Sequence, residues 1–414
     1  MTAETTKKPA EMPIGLGATS LDPNFRANPH EVLDRVRAAG AVVEDTLLKR
    51  YLVTEAEAVE AVLRDRELCV DPRKAPKDSF MNMLRRRNAD ADAEEVQPSM
   101  LFLDPPDHDR LRGLVNKAFT PKAVDKMAAR VQEIADELLD KLAGREGFDL
   151  IADYSAPLPT IVIAEMLGVD PNDQAQFKTW SDAIIQGFNP FMSDEQRQAI
   201  EGASQALNAY LRNAVAARRA APADDLITGM IKAEDAGDFL SDDEIVTMIG
   251  LLLLAGNLTT TDLIGNGVYA LLQNPGEWAK LRDNPSLIQN TVEEMLRFDP
   301  PVTQSGRIVV KDTVVAGCPI AAGSSLSPLL LAANHDPAFN PDPHRFDITR
   351  EEIKHVSFGG GRRYCLGAPL ARLEAQVAVG TLVKRFPDLR LAGDKVERRS
   401  VPAFNGLVAL NVVT

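Results

Sequence analysis

The stretch His355-Val-Ser-Phe-Gly-Gly-Gly-Arg-Arg-Tyr-Cys-Leu-Gly-Ala-Pro-Leu-Ala-Arg372 sets a cysteine, Cys365, just beyond a triple-glycine run and at the entrance to an amphipathic segment that continues to Pro387. That segment predicts a helix starting at the cysteine. Unpaired N–H groups at a helix N-terminus lower the basicity of a nearby thiol and favour the thiolate, a soft metal ligand. Gly359 to Gly361 and then Gly367 permit tight turns and let a flat ligand approach the backbone. A lone cysteine in a turn also fits a buried, inert side chain, so its surroundings have to decide.

The 414 residues carry 46 Lys and Arg against 60 Asp and Glu, a net charge of -14, which argues against general nucleic-acid binding. The three cysteines, Cys69, Cys318 and Cys365, form no CxxC pair. Their odd number and spacing argue against a disulfide framework or structural zinc and fit a reducing cytoplasm. Residues 1–13 are polar, without the apolar run of a secretory signal, and predict a flexible tail ahead of a single domain over 14–414. The longest apolar run, Ile245 to Gly256, is roughly half of the ~20 residues needed to cross a bilayer, so a soluble protein with no membrane partner is expected.

Helical periodicity dominates, at 29–40, 55–65, 125–144 and 198–221, while strand-like pieces are short, at 50–54, 306–317 and 407–413. The expected class is mainly α with minor β. The charged stretch 85–95 lacks periodicity and reads as a solvated loop or part of a lid. Ser241 with Glu244 forms a capping box, and Pro275 closes a helix of roughly 34 residues, about 50 Å long. Apolar nearly all round in its middle, that helix belongs in the core, and its polar break from Asn257 to Asp262 falls where polar groups are costly.

The sequence Phe-Gly-Gly-Gly-Arg-Arg-Tyr-Cys-Leu-Gly resembles the haem-binding loop of the cytochrome P-450 family, matching its pattern at Phe358, Gly359, Gly361, Arg363, Cys365 and Gly367. The resemblance extends from Tyr51 to Phe404 and implies the family's fold, with a long central helix over the haem. It makes Cys365 the axial thiolate of a haem b (iron protoporphyrin IX), with Phe358 packed beneath it and Arg363 facing a propionate. The lack of CxxCH excludes c-type attachment. Glu294 and Arg297 form an ExxR pair; taken alone it occurs on any helix, but "HRFD" supplies Arg345 as the third member of the family's structural Glu-Arg-Arg cluster. His108, Arg112, Arg307 and His355 match family propionate partners, whereas His30 and His335 read as ordinary surface residues.

The same resemblance gives the long helix its roles. Ala255 and Gly256 match the oxygen-binding groove, and Thr259 matches the proton-relay threonine, with Thr260 and Thr261 expected to bond back to carbonyls one turn earlier. The acid that usually precedes the threonine is replaced by Leu258. Asp262 is a candidate to serve instead through water, the alternative being a buried ion-pair member, and Asn257 is a candidate to orient that water. Phe188, Leu254, Leu258, Val302 and Phe404 are candidate walls of a pocket for a small hydrophobic substrate, with Gln304 and Asn405 as polar fixing points.

The implied function is monooxygenation by O2, hydroxylation in type. Electrons are expected from a ferredoxin and its NAD(P)H-dependent reductase, docking on a basic patch at Lys117, Arg362 and Arg372 of a cytoplasmic monomer. A peroxide-driven peroxygenase or an isomerase shares the haem without the redox partner, and a haem-based gas sensor is the binding-module alternative.

Overall fold

The capping box at Ser241 forms as the sequence requires: its hydroxyl accepts the Glu244 N–H at 3.2 Å, and the Glu244 carboxylate accepts the Ser241 N–H at 2.9 Å. Three acidic side chains occupy the first turn of the helix, where they complement its dipole. The computed structural model describes residues 10–11, 19–77, 79, 82, 99–189, 191–235, 240–393 and 395–414. Its principal elements, in chain order, are β1 (Ala10–Glu11), α1 (Pro29–Ala39), β2 (Val42–Asp45), β3 (Arg50–Val53), α2 (Ala56–Arg64), α3 (Asp107–Asn116), α4 (Ala128–Asp140) and α5 (Pro157–Leu167). There follow α6 (Asp194–Ala220), α7 (Asp242–Gln273), α8 (Ile288–Phe298), β4 (Arg307–Ile308), β5 (Ser325–Pro328) and α9 (Ala368–Arg385). The protein is mostly helical with small sheets, as its periodicity predicts.

Helix α7 runs through the middle, packed on α5, α6, α8 and α9. By length and composition it could cross a bilayer, yet 61% of its most apolar window is buried against protein, which marks a core helix. Ile249, Leu253, Ile264 and Val268 are each no more than 1% exposed. Burial of each contributes about 1.5–3 kcal/mol.

Five short strands form a sheet in the order β1-β2-β3-β5-β4. Strand β1 lies within the stretch expected to be a flexible tail: Ala10 pairs in parallel with Val43, and backbone hydrogen bonding overrides the local polarity there. Strand β3 runs parallel to β5, with Tyr51 opposite Leu326, and β4 is antiparallel to it, with Arg307 opposite the same Leu326. That register holds Arg307, 4% exposed, at the inner edge of the sheet.

Candidate active site

The glycine loop is held by the C-terminus of α2. Gly361 has φ +59°, and a Cβ there would stand 3.0 Å from the Arg64 Cα, so both its conformation and its space call for glycine. The Cys365 N–H donates to the Phe358 carbonyl at 2.8 Å and closes the turn. Cys365 is a free cysteine with an accessible side chain, although α9 beyond it enters the core at Ala368 and Leu370. Burial in its surroundings pushes the thiol pKa up, while the N–H groups of Gly367 and Ala368 and the charges of Arg112 and Arg372 pull it down. Gly367 has an ordinary φ of -81°, and a Cβ there would meet nothing within 4 Å. Arg372 stacks 4.6 Å over the Phe358 ring and grips Glu293 with two bonds of 2.6 and 2.9 Å.

The Glu-Arg-Arg cluster forms, with a different third member. Arg297 donates to both Glu294 oxygens, at 2.6 and 2.8 Å, and to the carbonyls of Pro343 and Arg345. The second arginine on Glu294 is Arg350, at 3.2 Å, which also binds the carbonyls of Pro341, Asp342 and Arg345. The Arg345 side chain is 63% exposed and pairs with Asp347. The resemblance of "HRFD" pointed to Arg345 as the third member, but the turn presents its carbonyl inward and its guanidinium outward. Asn334, wholly buried, accepts the Val356 N–H and donates to Leu296 O and Ser357 Oγ, so it ties α8 to the segment leading into the cysteine loop. A polar residue inside "PLLLAANHDP" was the only sequence signal for that role.

Five cationic or imidazole groups were expected to face anionic groups. Arg307 bonds only to Ser305 Oγ and to the carbonyls of Gly306 and Leu63, and among the described residues no carboxylate pairs with it. Burial lowers its pKa to about 10. Arg112 donates to the Tyr364 carbonyl at 2.7 Å. His108 is buried, with Nδ1 2.9 Å from Asp109. His355 has both ring nitrogens engaged, by Glu293 at 3.0 Å and by the Ser357 N–H, so an anion at that position competes with Glu293. Arg363, expected to face a propionate, is anchored on Asp104 at 2.8 Å and on the Leu103 carbonyl. Asp104, which sequence reading missed, also accepts from Lys74 and from the N–H groups of Val70 and Asp71 and so latches the loop to the segment 70–74.

On α7, Ala255 is exposed, and Leu251, Leu254 and Thr259 are half-buried at helical spacing, making an accessible stripe on an otherwise buried helix. Gly256 faces elsewhere: a Cβ there would lie 3.1 Å from Ile163 on α5, so helix packing accounts for this glycine. Thr259 Oγ1 donates to the Ala255 carbonyl at 2.7 Å, and Thr261 likewise to Asn257 O at 3.0 Å. Thr260 does not share the expected back-bond: its hydroxyl meets Glu374 of α9, whose pKa burial pushes up to about 8. Asn257 is buried, with Nδ2 unpaired. Asp262 is committed to Arg399, at 2.6 and 3.3 Å, and burial pushes its pKa up to about 7 against the pull of that guanidinium. Its carboxylate is thus an ion-pair member turned toward the segment after Val396, in place of the relay position considered from sequence.

Phe188, Leu258 and Phe404 gather with Ile185 and Val401 in one apolar cluster, and the Phe188 and Phe404 rings meet edge to face at 5.3 Å. Val302 joins through a bridge to Phe404, and Leu254 lies one turn before Leu258 against the main core. Gln304 is taken by Arg50, and Asn405 by Asp299. The charged stretch 85–95 lies outside the described residues. In the basic patch, Lys117 and Arg362 are exposed, whereas Arg372 is bound to Glu293.

A thiol receiving two N–H groups, a buried guanidinium lacking a carboxylate, and an accessible stripe on the central helix together fit a planar, anionic, metal-bearing cofactor; the class of protein is a thiolate-ligated haem protein. The family model for cytochrome P450 matches residues 51–399. The chain is 45% identical over 295 residues to cytochrome P450 CYP107DY1 of Priestia megaterium, covering 71% of each chain. It is 42% identical over 358 residues to cytochrome P450 107B1 of Saccharopolyspora erythraea, covering 85% of each. Among solved structures, the myxobacterial cytochrome P450 CYP267B1 in complex with myristic acid superposes with a TM-score of 0.88 at 38% identity, covering 95% of this chain and 98% of that one. The chain belongs to the cytochrome P450 family and is a monooxygenase of that family, which implies haem and O2 use.

Proposed function

We propose that this protein is a cytoplasmic, monomeric haem b monooxygenase. It hydroxylates a small hydrophobic substrate with electrons from a ferredoxin and its NAD(P)H-dependent reductase. The observation that carries the reading is Cys365, an accessible thiol receiving the Gly367 and Ala368 N–H groups at the head of α9. Bound haem would supply oxygen activation, to which thiolate ligation contributes electron density.

Arg307, Arg112 and His108 are the residues to hold its carboxylates, Arg307 foremost because among the described residues no carboxylate bonds to its buried charge. The open space over Gly367 and the accessible Ala255 leave room for a flat group. Thr259 gives its proton to the Ala255 carbonyl, so its lone pairs remain to accept from a water, and the unpaired Asn257 Nδ2 is a further donor nearby on the helix. The cluster of Phe188, Leu258, Phe404, Ile185 and Val401 excludes water and suits an apolar substrate; the myristic acid bound by the myxobacterial relative supports that chemistry. Exposed Lys117 and Arg362 favour an acidic redox partner.

A ferrous carbon monoxide complex with the red-shifted band of thiolate ligation, lost in Cys365→Ala, tests the ligand. An imidazole-like band in the folded wild type overturns it. Leu258, in place of an acid, with Asp262 bound to Arg399, favours peroxide-driven turnover as the second reading. Faster product formation with peroxide than with the ferredoxin system decides for it.

A further inference from the structure

His30, at the start of α1, His335, just after the short helix Leu330–Asn334, and His344 come together although the sequence separates them by as many as 314 positions. One ring nitrogen from each lies within 4.8 Å of the other two. The His30 and His335 ring centroids are 4.1 Å apart, and those of His335 and His344 are 5.4 Å apart and nearly parallel. His335, expected at the surface, is 1% exposed.

The hydrogen bonds of His335 and His344 fix where their lone pairs are. His335 Nε2 lies 2.8 Å from the Phe298 carbonyl, which can only accept, so Nε2 carries the proton and Nδ1 carries a lone pair. That Nδ1 is buried with no hydrogen-bond partner, and so is His30 Nδ1. His344 Nε2 lies 2.8 Å from the Asp34 carboxylate, which again leaves its Nδ1 with the lone pair. A buried polar atom left unpaired is costly, and here two stand in one cluster. An imidazole that donates its other N–H to a carbonyl or carboxylate is the arrangement that orients histidine ligands on metals.

We propose that His30, His335 and His344 form a binding site for a divalent transition-metal ion of the zinc class, separate from the haem site, with Asp34 orienting His344 and water completing the coordination. Imidazole nitrogens suit zinc, nickel and copper, whereas magnesium and calcium prefer oxygen. Zinc–nitrogen bonds of about 2.0–2.1 Å in a tetrahedron require nitrogens roughly 3.3 Å apart, so the rings close by at most roughly 1.5 Å. His344, 46% exposed at its side chain, has the freedom to do so. Two guanidiniums face the cluster, Arg297 from α8 and Arg398, but each is paired, with Glu294 and Asp299 respectively. The ion would staple α1 to the turn whose Pro343 and Arg345 carbonyls receive Arg297, and thereby brace the charge cluster behind the cysteine loop.

Chelator-stripped holoenzyme is titrated with zinc chloride at pH 7.5 against a chromophoric chelator, and thermal unfolding is followed with and without zinc. One zinc per chain at micromolar affinity and a zinc-dependent rise in Tm are expected in wild type. At least tenfold weaker binding and no rise are expected in His344→Ala and His30→Ala, with a roughly tenfold loss in Asp34→Asn. Cys69→Ser should bind as wild type does, and magnesium should produce no rise. Absence of a wild-type site tighter than about 100 μM, undiminished binding in both histidine variants, or an equal response to magnesium would overturn the proposal.

Discussion

Replacing each arginine near Glu294 by alanine separates the roles that proximity in sequence had merged. Glu294 and Arg297 are both 0% exposed at their side chains, so Arg297→Ala leaves a buried carboxylate and the Pro343 carbonyl without their main donor. Breaking a buried pair from one side costs about 3–5 kcal/mol. Arg350 is 11% exposed and gives up one bond to Glu294 and three to carbonyls, but Glu294 retains Arg297. Its loss should therefore fall lower, at about 2–4 kcal/mol. Arg345→Ala removes only a rim pair with Asp347, worth under about 1 kcal/mol, because the group it lends to the cluster is its backbone carbonyl, which alanine keeps. Urea unfolding of the holoenzymes followed by far-UV circular dichroism, with the haem-to-protein ratio on purification, should rank the damage Arg297 over Arg350 over Arg345. A variant at Arg345 as unstable as that at Arg297, or a silent Arg350→Ala, would refute the assignment.

Glu374 offers a pH test: its folded pKa of about 8 lies above the ordinary 4.5, so the folded state holds a proton that the unfolded state has lost. Its contribution is full below about pH 4.5 and declines as pH rises through 8, and Glu374→Gln should flatten that part of the urea-midpoint profile. Arg307→Met removes a buried cation to which no carboxylate bonds among the described residues, so the haem-free chain should be at least as stable as wild type while haem transfer to an acceptor protein speeds up at least tenfold; unchanged retention would remove Arg307 from the cofactor site. Asp262→Asn should leave product formed per NADH unchanged and weaken the fold through Arg399, whereas Thr259→Ala should lower that ratio severalfold. Phe404→Ala should cost about 3–5 kcal/mol if Phe404 is core alone, and less, with weakened substrate-induced spin shifts, if it lines the pocket.

Local chemistry made the framework readable. The capping box, the length and apolarity of α7, and the glycine-cysteine loop depend on residues within one or two turns of each other, where spacing alone dictates geometry. Leu258 was legible for the same reason, as a missing acid at a fixed position. What spacing could not supply was the direction of long side chains and the partner across the fold. Arg345 and Arg350 lie five residues apart in a turn, and only its path decides which guanidinium points at Glu294. Asp262 looked available on its helix face until the segment carrying Arg399, 137 residues away, closed over it. Thr260 finds Glu374 because α7 and α9 pack, and Gly256 is glycine because α5 does. His30 and His335 read singly as surface residues; tertiary packing alone places them in one cluster with His344, since it sets distances between residues that the chain leaves far apart.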